Sequence, residues 1–283
     1  METYFVNGHY FHKHDANISV EDRGFNFADG VYEVIAFTNG KILNFERHIK
    51  RLERSLNEIR IKNPYDNLKS LEIIFKQLIK KNKILNGFLY LQITRGSATR
   101  KHEFPKKITP NVVIFCFNTK NHELLNKGVK VGLSDDLRWK RCDIKSISLL
   151  PNLLEKQKAS ENGLYEIWQI RENFITEGST SNAFIINSED TILTHPANKF
   201  ILGGVTRDCV IEIAKKQGFK FLEKSFSKNE LRSCNEAFLS STTVGILPVI
   251  QVDNIIIKDG KPGKNTIELM KNYQKFLSNQ INK

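Results

Sequence analysis

Lys145 stands in the run Arg141-Cys142-Asp143-Ile144-Lys145-Ser146, and Glu177 stands in Thr176-Glu177-Gly178-Ser179-Thr180-Ser181-Asn182. A lysine amine condenses with an aldehyde, and a carboxylate holds a protonated ring nitrogen by a charge-assisted hydrogen bond. Each group is costly to bury by itself. A cofactor with both an aldehyde and a ring nitrogen removes much of that cost, and pyridoxal phosphate (PLP) is one. Taken alone, Lys145 reads as one surface lysine among many. Glu177 alone reads as the start of a turn closed by hydroxyl side chains.

Four further features suit an anion. Leu202-Gly203-Gly204-Val205-Thr206-Arg207-Asp208 is a glycine turn feeding a helix, with Thr206 as N-cap and Val210, Ile211, Ile213 and Ala214 on the apolar face. A helix N-terminus presents free amide donors to a phosphate. No Walker sequence follows, so a nucleotide loop is disfavoured. An ordinary capped helix start explains the stretch equally well. Ser241-Thr242-Thr243 follows the strand Phe238-Leu239 and is either a phosphate contact or a plain turn. Arg51 falls on a helix, where a solvated face is the simpler account. Beyond Thr94-Arg95-Gly96-Ser97-Ala98-Thr99, Arg100 and His102 stand two apart on a loop. Such a pair can converge on one carboxylate or simply form a basic surface loop.

The elements that must position these residues follow from periodicity. Tyr4-Phe5-Val6 and Tyr10-Phe11 flank Asn7-Gly8, a hairpin signal. Val31 to Phe37 reads as a strand that Asn39-Gly40 turns back into Lys41-Ile42-Leu43. Helical spacing then links Ile49, Leu52, Leu56 and Ile59, and again Leu68, Leu71, Phe75, Leu78 and Ile79. Strands return at Phe88 to Thr94 and Val112 to Phe117. This half mixes hairpins with helices, so α+β suits it better than strict βαβ alternation. The polar stretch Asn118 to Glu123 marks a boundary, giving an N-terminal domain 1–120 and a larger C-terminal domain 121–283 that carries Lys145. The second domain is expected to hold strands near 129–131, 165–170, 183–186 and 237–239. Its helices are expected at 153–160, 208–216 and 267–277.

Composition bounds the function classes. The 283 residues are 40% hydrophobic and 26% charged, an ordinary globular balance. The net charge of +12 is spread along the chain with no basic stripe or nucleic-acid module, so no nucleic-acid partner is expected. The charge reads as solvated surface, with a field that attracts anionic substrates as an added possibility. Cys116, Cys142, Cys209 and Cys234 show neither Cys-x-x-Cys nor zinc spacing. Reduced core thiols fit a reducing compartment. The N-terminus lacks a signal-peptide profile and no apolar run is long enough to span a membrane, so a cytoplasmic protein is expected.

Together these stretches resemble the class IV aminotransferases of PLP fold type IV, and among them the D-amino-acid aminotransferases. The motifs are Glu21-Asp22-Arg23-Gly24, Asp29-Gly30-Val31-Tyr32-Glu33-Val34, Thr94-Arg95-Gly96 with Arg100 and His102, and Arg138 to Ser146. Thr176-Glu177-Gly178-Ser179, Thr194-His195-Pro196-Ala197-Asn198, Gly204 to Asp208 and Ser241-Thr242-Thr243 follow, in family order across nearly the whole chain. The resemblance implies a two-domain α+β or α/β fold. It implies PLP held covalently by Lys145, with Glu177 on its ring nitrogen and Leu202 beneath the ring. Arg51, Val205, Thr206 and Thr242 would hold the phosphate. Tyr32, Arg100 and His102 would trap the substrate α-carboxylate, the last two reaching in from the second subunit of a homodimer. The implied reaction passes an amino group from a D-amino acid to a 2-oxo acid. The alternatives are a branched-chain L-amino-acid aminotransferase, a group that usually carries other residues at the carboxylate trap, and an aminodeoxychorismate lyase, a group that shares the cofactor residues but usually lacks the trap. Thr180 stands where a serine is usual, Val244-Gly245 where Ser-Glu is usual, and Gly203 where a bulkier residue is usual.

Overall fold

The computed structural model describes residues 2–65, 67–118 and 127–282. The chain divides into two compact units, Met1–Lys120 with Ile144–Ser148, and Asn121–Asp143 with Leu149–Lys283. The boundary expected at Asn118 to Glu123 lies, past Asn118, outside the described residues. Among the described residues no helix is long and apolar enough to cross a membrane, and no cluster of three or more metal-ligating side chains occurs.

The first unit is an antiparallel sheet with helices on one face. Its strands are β1 (Thr3–Val6), β2 (His9–His12), β3 (Gly30–Thr38), β4 (Lys41–Ile42), β5 (Gly87–Thr94) and β6 (Asn111–Asn118), in the order β2-β1-β6-β5-β3-β4. Both Asn-Gly pairs form the expected turns. Asn7 and Gly8 have φ of 48° and 95°, and Asn39 and Gly40 have φ of 50° and 72°, the left-handed pair a two-residue hairpin requires. Helices α2 (Phe45–Glu58) and α3 (Leu68–Asn82) press Ile49, Leu52, Leu56, Leu71, Phe75 and Leu78 onto Ile35, Phe37, Leu89, Leu91 and Ile93. That is the stripe the helical period predicts. A short helix α1 (Arg23–Phe27) precedes β3, with Asp22 as its N-cap.

The structure corrects the placement of Lys145. The segment Ile144–Ser148 groups with the first unit and not with residues 121–283. Main-chain bonds fasten it to the start of β3: Tyr32 N donates to Lys145 O at 3.0 Å, and Ile147 N donates to Gly30 O at 3.1 Å. Val31 pairs with Ser146 as an isolated bridge. Gly30 is needed here, because a Cβ would lie 2.7 Å from Ile93 O and 3.1 Å from the Ile147 side chain.

The second unit is built on a mixed sheet. Its strands are β7 (Val129–Asp135), β8 (Glu166–Arg171), β9 (Phe174–Gly178), β10 (Asn182–Ile186), β11 (Thr191–Thr194), β12 (Lys220–Glu223), β13 (Glu236–Ser241), β14 (Gly245–Val252) and β15 (Ile255–Ile256). The order is β12-β11-β10-β13-β14-β7-β8-β9, with β15 on β14. Its helices are α4 (Leu150–Glu161), α5 (Val205–Lys216), α6 (Lys228–Ser233) and α7 (Lys264–Ile281). Every residue of β10 is buried because both faces of the sheet are covered. One face packs Ala183, Ile185, Leu239 and Leu247 with Trp168 and Phe226. The other packs Phe184, Phe238 and Ile246 against Cys209, Val210 and Ile213 of α5 and Leu269 and Tyr273 of α7.

Candidate active site

The first unit gathers a lysine, an arginine and a buried carboxylate. The Lys145 ammonium lies over the Tyr32 ring, 4.2 Å from its centroid, and Tyr32 in turn stacks on Tyr90. The Lys145 amide donates to Ser55 Oγ of α2 at 3.2 Å, fixing the backbone from which the side chain extends. Next to Tyr32 on β3, Glu33 points to the opposite face and is fully buried. It accepts from Arg51 Nε and Nη2, each at 2.7 Å, and from His48 Nδ1 at 2.8 Å. Burial alone would lift this carboxyl, but the Arg51 charge and the bonds from Arg51 and His48 outweigh it and hold Glu33 at about 2. Burial lowers His48, with the charges of Arg51 and Lys145 adding to the effect and Glu33 opposing it. Arg51 is thus braced by Glu33 and is not the freely solvated helix residue its sequence allows.

The second unit gathers Glu177 and the helix-start turn. Glu177 closes β9 with its carboxylate buried. It pairs with Arg138 Nη1, accepts from Asn182 Nδ2 at 3.0 Å, and accepts from the Leu202 amide at 3.1 Å on both oxygens. Burial raises its carboxyl to about 7, even with Arg138 beside it. Arg138 is held firmly protonated. Although burial opposes its charge, Glu177 and Asp136 more than compensate. Asp136 takes Arg138 Nε at 2.9 Å on one oxygen and Nη2 at 2.9 Å on the other, and Arg171 lies 3.2 Å away.

Asn182 links the carboxylate to the anion turn. Its Nδ2 also donates to Leu202 O at 2.8 Å, and a Cβ on Gly204 would fall 2.1 Å from its Oδ1. Only glycine fits there. Helix α5 starts at Val205 with Gly204 as N-cap and no side chain capping it, which leaves its first amides to an outside acceptor. This corrects the expectation that Thr206 is the cap. The close approach of Gly204 to Asn182 starts the helix earlier, and Thr206 is buried in its first turn. Thr242 lies just past Ser241, the end of β13, at the same end of the sheet as Asn182, whose register partner is Ser240. The turn between β9 and β10 is held from within by Glu166, which accepts from Thr180 N at 3.2 Å, Thr180 Oγ1 at 3.0 Å and Ser181 Oγ. Threonine at 180 keeps this hydroxyl bond. Val244 is buried in the core of this unit, so the change at 244 is absorbed by packing.

Arg100 and His102 are exposed in the first unit and share one support. The Arg100 guanidinium carbon lies 4.8 Å from the Phe27 centroid, and the His102 ring centroid lies 5.5 Å from it. Each unit therefore collects its own expected residues: Lys145, Tyr32, Arg51, Arg100 and His102 in one, Glu177, Leu202, Val205, Thr206 and Thr242 in the other. Sequence reading assigned no role to Glu33, His48, Asp136, Arg138, Glu166 or Asn182. A charged or amide group that recurs inside a motif is the available signal, but its partner is far away in the chain.

Comparison with known proteins gives a consistent result. The family described as Amino-transferase class IV matches residues 30–252. The chain is 39% identical over 276 residues to a D-alanine aminotransferase of Bacillus licheniformis, covering 97% of this chain and 95% of that one. It is 38% identical over 279 residues to a D-alanine aminotransferase of Staphylococcus aureus, covering 98% of each. Among solved structures, a branched-chain amino acid aminotransferase from Escherichia coli superposes with a TM-score of 0.90 at 22% identity, over 99% of this chain and 95% of that one. At that identity the likeness speaks to the fold.

The position of Glu177 gives a linkage prediction. A carboxyl raised from 4.5 to about 7 stays protonated in the folded chain while the unfolded chain ionises. Stability of the ligand-free protein should therefore fall as pH rises through that window, by on the order of 3 kcal/mol in all, and level off above it. Glu177→Gln has no such titration. Urea unfolding of both proteins at pH 5 and pH 8 should show the variant gaining on the parent, and parallel pH dependences would refute the assignment.

Proposed function

The chain belongs to the class IV aminotransferase family, and on that premise we propose how its residues divide the work of transaminating D-amino acids. The protein is a PLP-dependent aminotransferase acting on D-amino acids and 2-oxo acids. One observation carries the assignment of the site: a buried carboxylate and an uncapped helix N-terminus, tied together through Asn182. That donor set fits PLP, one end suiting a protonated ring nitrogen and the other a phosphate. When bound, PLP supplies the electron sink that lets the substrate's α-proton leave.

The residues then take these roles. Lys145 holds the cofactor through its amine and moves the α-proton at Nζ. Glu177 would keep the ring nitrogen protonated, since a carboxyl near 7 gives up its proton readily once a second cation joins Arg138 against it. Arg51, the backbone of Val205, Thr206 and Thr242 would hold the phosphate, and Leu202 would contact the ring. Tyr32, Arg100 and His102 bind the α-carboxylate. With the carboxylate held on one side and Lys145 fixing the face of proton transfer, only one enantiomer can turn its α-hydrogen to the lysine. That enantiomer is the D form, with D-alanine, D-glutamate and 2-oxoglutarate as partners.

The working assembly is a homodimer in which Arg100 and His102 serve the second copy's site. The exposed Leu150, Leu153 and Leu154 of α4, between 59% and 67% accessible in one chain, support an apolar contact of that kind. Four buried free cysteines suit a reducing, cytoplasmic setting.

Three measurements test this reading. Borohydride reduction of the PLP-loaded protein followed by peptide mapping should label Lys145, and a label on another lysine removes its role. Pyruvate release with 2-oxoglutarate should be faster from D-alanine than from L-alanine at equal enzyme. Preference for L-leucine over every D-amino acid tried would shift the chain to the branched-chain subfamily. Mixing Arg100→Ala chains with Lys145→Ala chains should restore activity through one intact site per mixed dimer. Mixed dimers that form and stay inactive would mean that each chain completes its own site.

A further inference from the structure

Arg23 is a buried cation that the roles above do not use. It sits at the first turn of α1, 3% exposed. Its Nε donates to Asp29 Oδ2 at 2.8 Å. Its Nη1 donates to Lys101 O at 2.6 Å and reaches Glu103 O at 3.4 Å, and its Nη2 donates to His102 O at 3.3 Å. One guanidinium therefore grips three successive carbonyls of the loop that displays Arg100 and His102. The same cation lies 4.8 Å from the Phe27 centroid, on the ring that Arg100 and His102 also share. Arg95 anchors the arrangement from behind. It pairs with both oxygens of Asp29, at 2.7 and 2.9 Å, and its guanidinium carbon lies 3.5 Å from the Phe104 centroid at the end of the loop. Among the described residues, no backbone amide from 99 to 107 donates to a backbone carbonyl. The loop has no ladder of its own, so its conformation depends on these side chains.

We propose that Arg23 is the positioning residue of the substrate-carboxylate loop. By holding the carbonyls of residues 101–103, it presents Arg100 and His102 ready-ordered, so that a carboxylate does not have to order the loop on binding. The proposal rests on the reading that Arg100 and His102 bind that carboxylate. An amino acid and a 2-oxo acid share the group, so Arg23 sets the affinity for both, while PLP binding is independent of it.

The test uses the PLP-loaded protein with Arg23→Gln and Arg23→Lys. Lysine keeps the charge toward Asp29 but cannot fork across three carbonyls. Both variants should raise KM for D-alanine and for 2-oxoglutarate together, by roughly tenfold, the equivalent of a net hydrogen bond or two. Cofactor absorbance and PLP affinity should match the parent, and tryptic cleavage after Lys101, whose carbonyl Arg23 holds, should accelerate. The lysine variant carries the test if the glutamine variant does not fold. Unchanged KM values, unchanged cleavage after Lys101, or loss of PLP alongside the loss of substrate affinity would overturn the proposal. Arg100→Ala separates it from its premise. If that variant leaves both KM values alone, the carboxylate reading itself fails. If it raises them while the Arg23 variants do not, only the role of Arg23 falls.

Discussion

A carboxylate placed away from water must be matched by cations and donors, and this requirement organises both halves of the molecule. Glu33 and Glu177 are the same side chain under opposite outcomes. Around Glu33, a bidentate guanidinium and an imidazole overcome burial and hold the acid at about 2. Around Glu177, one guanidinium, one amide group and one main-chain N–H leave burial dominant, and the acid stands at about 7. The first is a fixed strut for Arg51. The second is a group whose charge state responds to what is set against it.

Much of the scaffold could be read in advance because its causes are local. The Asn-Gly pairs at 7–8 and 39–40 specify left-handed turns by residue type alone, and the apolar spacing of α2 and α3 specifies their buried stripe. Strands β9 and β11 were harder to see. The sequence Phe174-Ile175-Thr176-Glu177-Gly178 carries polar residues that are buried for their hydrogen bonds, so no alternation of apolar and polar residues marks it. The unit that holds Lys145 is hidden from sequence for a similar reason. Its segment follows the boundary in sequence, but the bonds that place it run to Gly30, Val31 and Tyr32.

The candidate site was legible as a set of residues and not as a set of contacts. Lys145, Glu177 and the Gly204 turn stand out in the motifs, but the supports of Glu177 come from residues 138, 182 and 202 on separate elements. Thr206 illustrates the limit from the other side. By residue type it is a good helix cap, yet the steric contact between Gly204 and Asn182 decides where the helix starts. Local propensity yields where tertiary contact is tight.

The linkage through Asn182 has a consequence for selectivity. One amide group touches the carboxylate, the Leu202 carbonyl and the glycine before α5, so the acid and the helix start cannot drift independently. Their separation is built into the second unit before anything binds. The unit is a fixed gauge, and a molecule that meets both the acid and the helix start must carry its two groups at this span.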